Sequence, residues 1–385
     1  MILMISLLGV AAAWNAGNVA PVASDISSAF DMSLVTYGLL TGTSFFIGNI
    51  IALAVAPRVG EWLGVLLALR VACLATFVGN IVIAITPVAG GVLVGRLVAA
   101  VSFAFVAALA PVYARHIGGV LLLGIFGASV QLGIGLGIGV GSVLSDVGFD
   151  WRVGFFVSAA VGAVALVSLH GISVANEPLR RTGGFLRAAF RTLRVYRLSL
   201  LFISIYGVPV VMGAWLTQYL VDSGGVRVGI AGALAFVLFA SSALMRFTGA
   251  RLQQRGVGHL TLVSLLGLSI GGVILLVIES SVTLAIPAVI ALGAGFALPY
   301  AKMLVDGQKL FPSEPAEPLA LLTIVAMAMP IAVIPLVGLA LDKGEGRLAF
   351  AAIGVFLAIA LIANLRPTGI PVTGSTANVG VRPDG

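Results

Sequence analysis

Twelve stretches of about 20 residues, each nearly free of charge, follow one another along the chain with only short polar breaks between them. That is the length of helix needed to cross a bilayer core about 30 Å thick, where every backbone polar group must be satisfied internally. The runs lie near 2–22, 33–56, 63–86, 89–113, 118–145 and 151–172, then near 198–221, 228–249, 259–279, 282–304, 318–341 and 347–365. Only 9% of the 385 residues are charged, against about a quarter in a soluble domain, so the surface of a large soluble domain cannot be assembled. The predicted class is therefore an all-α membrane protein with twelve transmembrane helices in two six-helix bundles. The first run starts at Met1 and passes Pro21 without a small-residue cleavage site, which predicts a retained helix rather than a signal peptide.

A composition break separates the two sets of six. Residues 173–197 carry Arg180, Arg181, Arg187, Arg191, Arg194 and Arg197 against the single acid Glu177, and read as a basic linker. Within it Phe185, Leu186, Ala189, Phe190 and Leu193 recur at helical spacing, so it reads either as an amphipathic helix on an anionic membrane surface or as a solvated basic loop. The domains are thus 1–172 and 198–366, and residues 367–385 have the Pro, Gly, Ser and Thr content of a disordered tail. Charge sets the orientation, because Lys and Arg near span ends are retained in the cytoplasm. One face collects Arg58, Arg115, the six linker arginines, Arg251, Arg255, Lys302, Lys309, Arg366 and Arg382; the other has only Arg152, Arg227, Lys343 and Arg347. Both termini are predicted to be cytoplasmic in an inner (plasma) membrane. The net charge of +7 is absorbed by this bias, and no nucleic-acid partner is expected. Cys73 is the single cysteine, which excludes an intrachain disulfide and a cysteine metal cluster, and no cofactor is expected.

The halves echo each other: Arg58 and Gly60 after span two recur as Arg255 and Gly256 after span eight, and Pro111 to Arg115 as Pro299 to Lys302. Residues 21–41 (PVASDISSAFDMSLVTYGLLT), the Arg58 and Gly60 loop, and Asp150, Trp151, Arg152 and Phe155 opening span six together resemble the major facilitator superfamily over essentially the whole chain. Leu53 and Pro57 stand where that family's loop pattern has Gly and Asp, and Ala250 and Gln254 where its second copy does. Span five, with Gly124, Gly133, Gly137 and Gly141 followed by Ser142, is similar to the superfamily's antiporter motif, with Ile138 at its Pro position. A glycine at every fourth position lets another helix approach closely and slide. The resemblance implies secondary transport by alternating access, with spans one, four, seven and ten lining the path and Arg58, Gly60, Gly133, Gly137, Gly141, Arg255 and Gly256 serving conformational change.

Ionised groups inside a membrane are costly and mark function. Arg96 lies well inside span four, on the arginine of the family's span-four pattern, and is the candidate for both substrate binding and coupling. Arg246 in span eight is a second substrate candidate, with snorkelling as its alternative; Arg70 in span three reads as structural. Asn15 and Asn18 share a face of span one, Phe103 lies on span four with Arg96, Gln131 is the large polar group of span five, and Tyr206 lies halfway along span seven. All five join the predicted substrate surface. Trp215, Gln218 and Tyr219 read as an aromatic belt near the end of span seven. No Asp or Glu lies mid-span, so Asp25 at the end of span one is the candidate proton-coupling group.

A cavity with arginines, amides and aromatics but no acid favours small neutral or anionic substrates. The predicted protein is a monomeric transporter in the lipid bilayer, an exporter of such organic molecules coupled to a proton gradient. The alternative is an importer of a small anion of the cyanate or nitrate type, which residues 21–41 also resemble, although residues 37–56 lack the span-two arginine of the nitrate type. A non-transporting sensor has no soluble domain to support it, and no nucleophile or metal-ligand motif supports an enzyme. A cysteine introduced at Arg187 should resist an impermeant thiol reagent applied to intact cells; ready labelling would invert the orientation.

Overall fold

The computed structural model describes residues 2–170, 193–255, 263–300, 303 and 316–365. Most of the basic linker, Gly256, Lys302, Lys309 and the tail lie outside the described residues. Among the described residues, ten helices are long and apolar enough to cross a membrane: α1 (Ile2–Ala29), α2 (Leu34–Leu63), α3 (Val65–Ile85), α4 (Ala89–Pro111), α5 (Gly124–Asp146), α6 (Trp151–Ser168), α7 (Val195–Gly224), α8 (Val228–Gly249), α11 (Leu321–Asp342) and α12 (Gly346–Leu365). Two shorter apolar helices, α9 (Gly267–Ile278) and α10 (Val282–Ala297), complete twelve. They form two bundles, α1–α6 and α7–α12.

Every residue from Ala89 to Asp146 has helical backbone, the join of α4 and α5 included. Yet Arg96 donates to the Asn15 carbonyl, while a Cβ on Gly137 would lie 2.8 Å from the Trp14 carbonyl. On a straight helix, at 1.5 Å per residue, these two positions would be about 60 Å apart. The chain must therefore reverse between them, so that α4 and α5 lie antiparallel against the same stretch of α1. The same close contact recurs in each half: a Cβ on Gly79 would lie 2.7 Å from the Gly95 carbonyl between α3 and α4, and one on Gly272 2.6 Å from the Ala288 carbonyl between α9 and α10.

Several sequence boundaries shift, and two of the shifts move candidate residues. Span one does not stop near Pro21; after a short 3-10 turn at Ala20–Val22 it resumes as helix from Ala23 to Ala29, placing Asp25 on the helix. Span two runs on to Leu63, so Arg58 and Gly60 lie in helix rather than in a loop, and Gly64, at φ 81°, makes the turn into α3.

The glycines of α5 face two ways. Gly133, Gly137 and Gly141 abut Val10, Trp14 and Pro21 of α1, inside the first bundle. Gly135 and Gly139 face Phe236 and Phe239 of α8, across the boundary between bundles. The four-residue stripe thus meets α1 within its own bundle, and the inter-bundle contact lies on the opposite side of the helix, two residues out of step with it. Gly137→Ala should lower the melting temperature of the purified protein, because its Cβ meets backbone at 2.8 Å. Gly139→Ala, meeting Phe236 Cβ at 3.3 Å, should be close to neutral. Equal melting temperatures for the two variants would refute this division.

Candidate functional site

Two helix irregularities build the centre of the site. α1 loses its regular α-helical form after Gly17, and Pro21 has no N–H to return to the Gly17 carbonyl. α2 widens to a π-turn over Leu39–Thr43, a form that displaces carbonyls from their usual partners and is frequent at functional sites. Arg96 of α4 enters between them. Its Nε donates to the Thr41 carbonyl at 2.8 Å and its Nη1 to the Asn15 carbonyl at 2.5 Å, with the Asn18 Oδ1 at 3.4 Å. Phe45 closes one face, its ring centroid 4.2 Å from Cζ. Only 1% of Arg96 is exposed, and it forms no ion pair among the described residues. It neither snorkels nor meets a carboxylate there.

Asn15 and Asn18 turn toward α3 and α6, with their amides already partnered there. Asn15 donates to Thr76 at 3.1 Å and accepts from Asn80 at 2.7 Å; Asn18 donates to Asn80 at 2.8 Å and to Ser158 at 3.0 Å. Thr76 and Ser102 share a further bond at 2.6 Å. This polar lattice inside the first bundle has no motif spacing; the signal that could have revealed it is the recurrence of Asn and Thr in α1 and α3 among otherwise apolar residues.

On the other side Arg96 borders the inter-bundle boundary with Ala16, Tyr37 and Thr41, facing Val210, Trp215 and Ile334. The enclosed space there is about 10 Å³, room for a single water. The Tyr37 hydroxyl donates to the Val19 carbonyl and its ring meets Trp215 edge to face. Trp215 is fully buried and donates to the Ile334 carbonyl of α11 at 2.9 Å; Tyr219 is fully buried and donates to the Leu276 carbonyl at 2.8 Å. Neither forms an aromatic belt. Both work inside the protein, which corrects the reading from span position.

At the end where the acids gather, three contacts tie the bundles together, and a fourth lies deeper. Asp342 of α11 accepts from the backbone N–H groups of Leu34 and Val35, capping the exposed start of α2 across the boundary. Arg227 pairs with Asp146 at 2.7 Å and Ser24 donates to Gln218 at 2.9 Å; deeper, near the π-turn of α2, Thr43 donates to the Ile331 carbonyl at 2.8 Å. Asp25 is set apart from this boundary, near Ser145 at 3.4 Å and beside an open groove of about 540 Å³ with Asp150 and Trp151.

Nearer the basic end, α5 and α8 carry the inter-bundle contacts. Gln131 donates to Ser242 at 2.7 Å, and one turn further Arg246 donates through Nη1 to the Gly127 carbonyl at 3.1 Å. Arg246 lies over Tyr300, its Cζ 4.2 Å from the ring centroid, and 5.9 Å from that of Tyr206. Tyr206 lies in a second π-turn, Ile203–Gly207, and donates to the Tyr300 hydroxyl at 3.0 Å. Phe103 packs against Phe45, with 5.9 Å between centroids. Arg58 and Arg255 are exposed and distant from this chemistry, Gly60 is buried in α2, and Arg70 donates to the Leu169 carbonyl at the end of α6, the expected structural role.

Comparison with known proteins agrees with the fold. The family model described as Major Facilitator Superfamily matches residues 5–325. Among solved structures, a point mutant of the nucleoside transporter NupG aligns at TM-score 0.77 and 12% identity, covering 94% of this chain and 98% of that one. A bacterial homologue of the human lysosomal transporter Spinster, inward-facing and unoccupied, aligns at 0.73 and 17%, covering 94% and 95%. The xylose transporter XylE from E. coli, inward open, aligns at 0.74 and 14%, covering 95% of each. At these identities the likeness is one of fold. A search of curated proteins finds no match.

The Arg96 clamp makes an unusual ordering testable. Lysine keeps a buried charge but cannot reach both carbonyls in one plane, whereas methionine abandons the carbonyls and also removes the charge, whose burial costs about 3 kcal/mol. Arg96→Lys should therefore melt below Arg96→Met in purified protein. A lysine variant as stable as wild type would mean that the clamp is not what holds this position.

Proposed function

The chain belongs to the major facilitator superfamily, and from that premise we propose that it is a secondary active transporter of small anionic or neutral organic molecules. The observation that carries the substrate class is Arg246, an inward-turned arginine at the boundary between bundles with no ion pair among the described residues; Arg96, also without an ion pair, adds to the positive field of the interior. A guanidinium held in a low-dielectric interior attracts oxyanions and disfavours cations. Transport proceeds by alternating access, the acidic end closed by Asp342, Arg227 and Trp215 in the state described and opened in the other. Cytoplasmic location of the basic end, in an inner (plasma) membrane, follows from the lysine and arginine bias.

Export in exchange for protons is supported by the glycine spacing of α5, similar to the antiporter motif, and Asp25, facing an open groove at the acidic end, is the proposed proton-coupling group. Import of a small inorganic anion is the second reading, favoured by the absence of any carboxylate from the Arg96 and Arg246 contacts among the described residues.

The test is flux in proteoliposomes under an imposed pH gradient, with a panel of carboxylates, inorganic anions, neutral organics and organic cations. Gradient-driven flux of organic anions or neutral compounds is expected. Flux confined to inorganic anions would favour the second reading, and flux confined to cations would refute the arginine argument.

A further inference from the structure

The two deep arginines differ in how many donors remain free. Arg96 spends Nε and Nη1 on two backbone carbonyls and an amide oxygen, all within the first bundle. Among the described residues Arg246 has a single hydrogen bond, from Nη1 to Gly127, and its Nε is buried without a partner. An orphaned N–H on a guanidinium is expensive to leave unmet inside a protein. Nε and Nη2 form the side edge of the guanidinium, which presents two parallel N–H bonds to a carboxylate.

The neighbouring groups suit the rest of such a ligand. Tyr206 donates to the Tyr300 hydroxyl, leaving Tyr300 its own O–H to donate. Phe202 stacks on Tyr206 at 5.8 Å and Tyr206 meets Tyr300 at 5.7 Å, making a continuous aromatic wall beside the charge. Arg246, Tyr206 and Tyr300 are all only partly buried.

We propose that Arg246, with Tyr300 and Tyr206, binds the carboxylate of a flat, apolar monocarboxylate, and that Arg96 is a positioning residue that holds α1 and α2 rather than a substrate ligand. This rests on the reading of the chain as an organic anion transporter and narrows it to one arginine and one ligand class. Once the contacts that cover Nε part, the carboxylate takes Nε–H and Nη2–H of Arg246 and the Tyr300 O–H, and the ligand's flat body lies along the tyrosine rings.

Binding of benzoate and of its neutral isostere benzamide to the purified full-length protein tests this, by calorimetry and by thermal shift. Benzoate should bind wild type more tightly than benzamide does. Arg246→Gln should weaken benzoate by about tenfold or more, the loss of a paired charge-assisted contact, and Tyr300→Phe by several-fold while keeping the ring. Arg96→Met, in whatever fraction folds, should keep the benzoate preference over benzamide. Benzoate affinity within twofold of wild type in both Arg246→Gln and Tyr300→Phe would overturn the proposal, as would benzamide binding equal to benzoate or loss of the preference in Arg96→Met alone. Should Arg246→Gln fail to fold, Tyr300→Phe decides. Gradient-driven flux of other organic anions, with no benzoate binding, would overturn this inference and leave the transporter reading standing.

Discussion

A guanidinium at membrane depth costs about 3 kcal/mol even on lenient insertion scales unless its donors find acceptors. Arg96 finds them in backbone carbonyls beside the irregular turns of α1 and α2. The break after Gly17 and the π-turn at Leu39–Thr43 would each leave polar backbone groups under-satisfied in hydrocarbon; the arginine and the two irregular turns satisfy one another. Behind them, Asn15, Asn18, Thr76, Asn80, Ser102 and Ser158 extend the arrangement through α3, α4 and α6, so the first bundle is held by a polar lattice as well as by packing. Low dielectric strengthens each of these bonds and penalises any that is missing, which favours movement of the bundle as one body.

The second bundle has no equivalent lattice among the described residues. Its partly buried Arg246, Tyr206 and Tyr300 are lightly bonded. The boundary between bundles is tied differently at its two ends. At the acidic end the ties are exposed or short-reach: Asp342 on the start of α2, and Arg227 on Asp146. Along α5 and α8 the contact is close and largely buried, with Gly135 and Gly139 against Phe236 and Phe239, and Gln131 on Ser242 and Arg246 on Gly127 nearer the basic end. Exposed polar ties that water can replace release at modest cost, whereas the close glycine–phenylalanine packing of α5 on α8 is the part of the boundary suited to act as a pivot.

Span count, order and most boundaries were legible in the chain, because a run of 20 uncharged residues has few alternatives in a membrane. Which way each helix faces was not. A helix that is apolar all round carries no stripe to mark its buried face, so Asn15 and Asn18 could be placed on one side of α1 but not assigned to the lattice instead of the boundary. The same blindness hid the neighbour of Gly133, Gly137 and Gly141: the four-residue spacing announced a close approach, and only the packing names α1. Trp215 looked interfacial from its place along α7, yet its indole N–H reaches a carbonyl of α11. The depth of Arg96 was readable from span position. Its clamp was not, since it depends on a π-turn in α2 that no residue pattern announces.

Rocking of the two bundles about the α5 and α8 contact, with the acidic end closed in the state described, links these features in the proposed transport cycle. Spin labels at Ser33 and Lys343, both exposed at the acidic end, and at Glu61 and Arg251, both exposed at the basic end, give two distances that report on it directly by pulsed electron resonance. Two populations are expected in nanodiscs, in which a longer acidic-end distance accompanies a shorter basic-end distance. Distances at the two ends that lengthen together, or a single rigid population under all pH gradients and ligands, would contradict it.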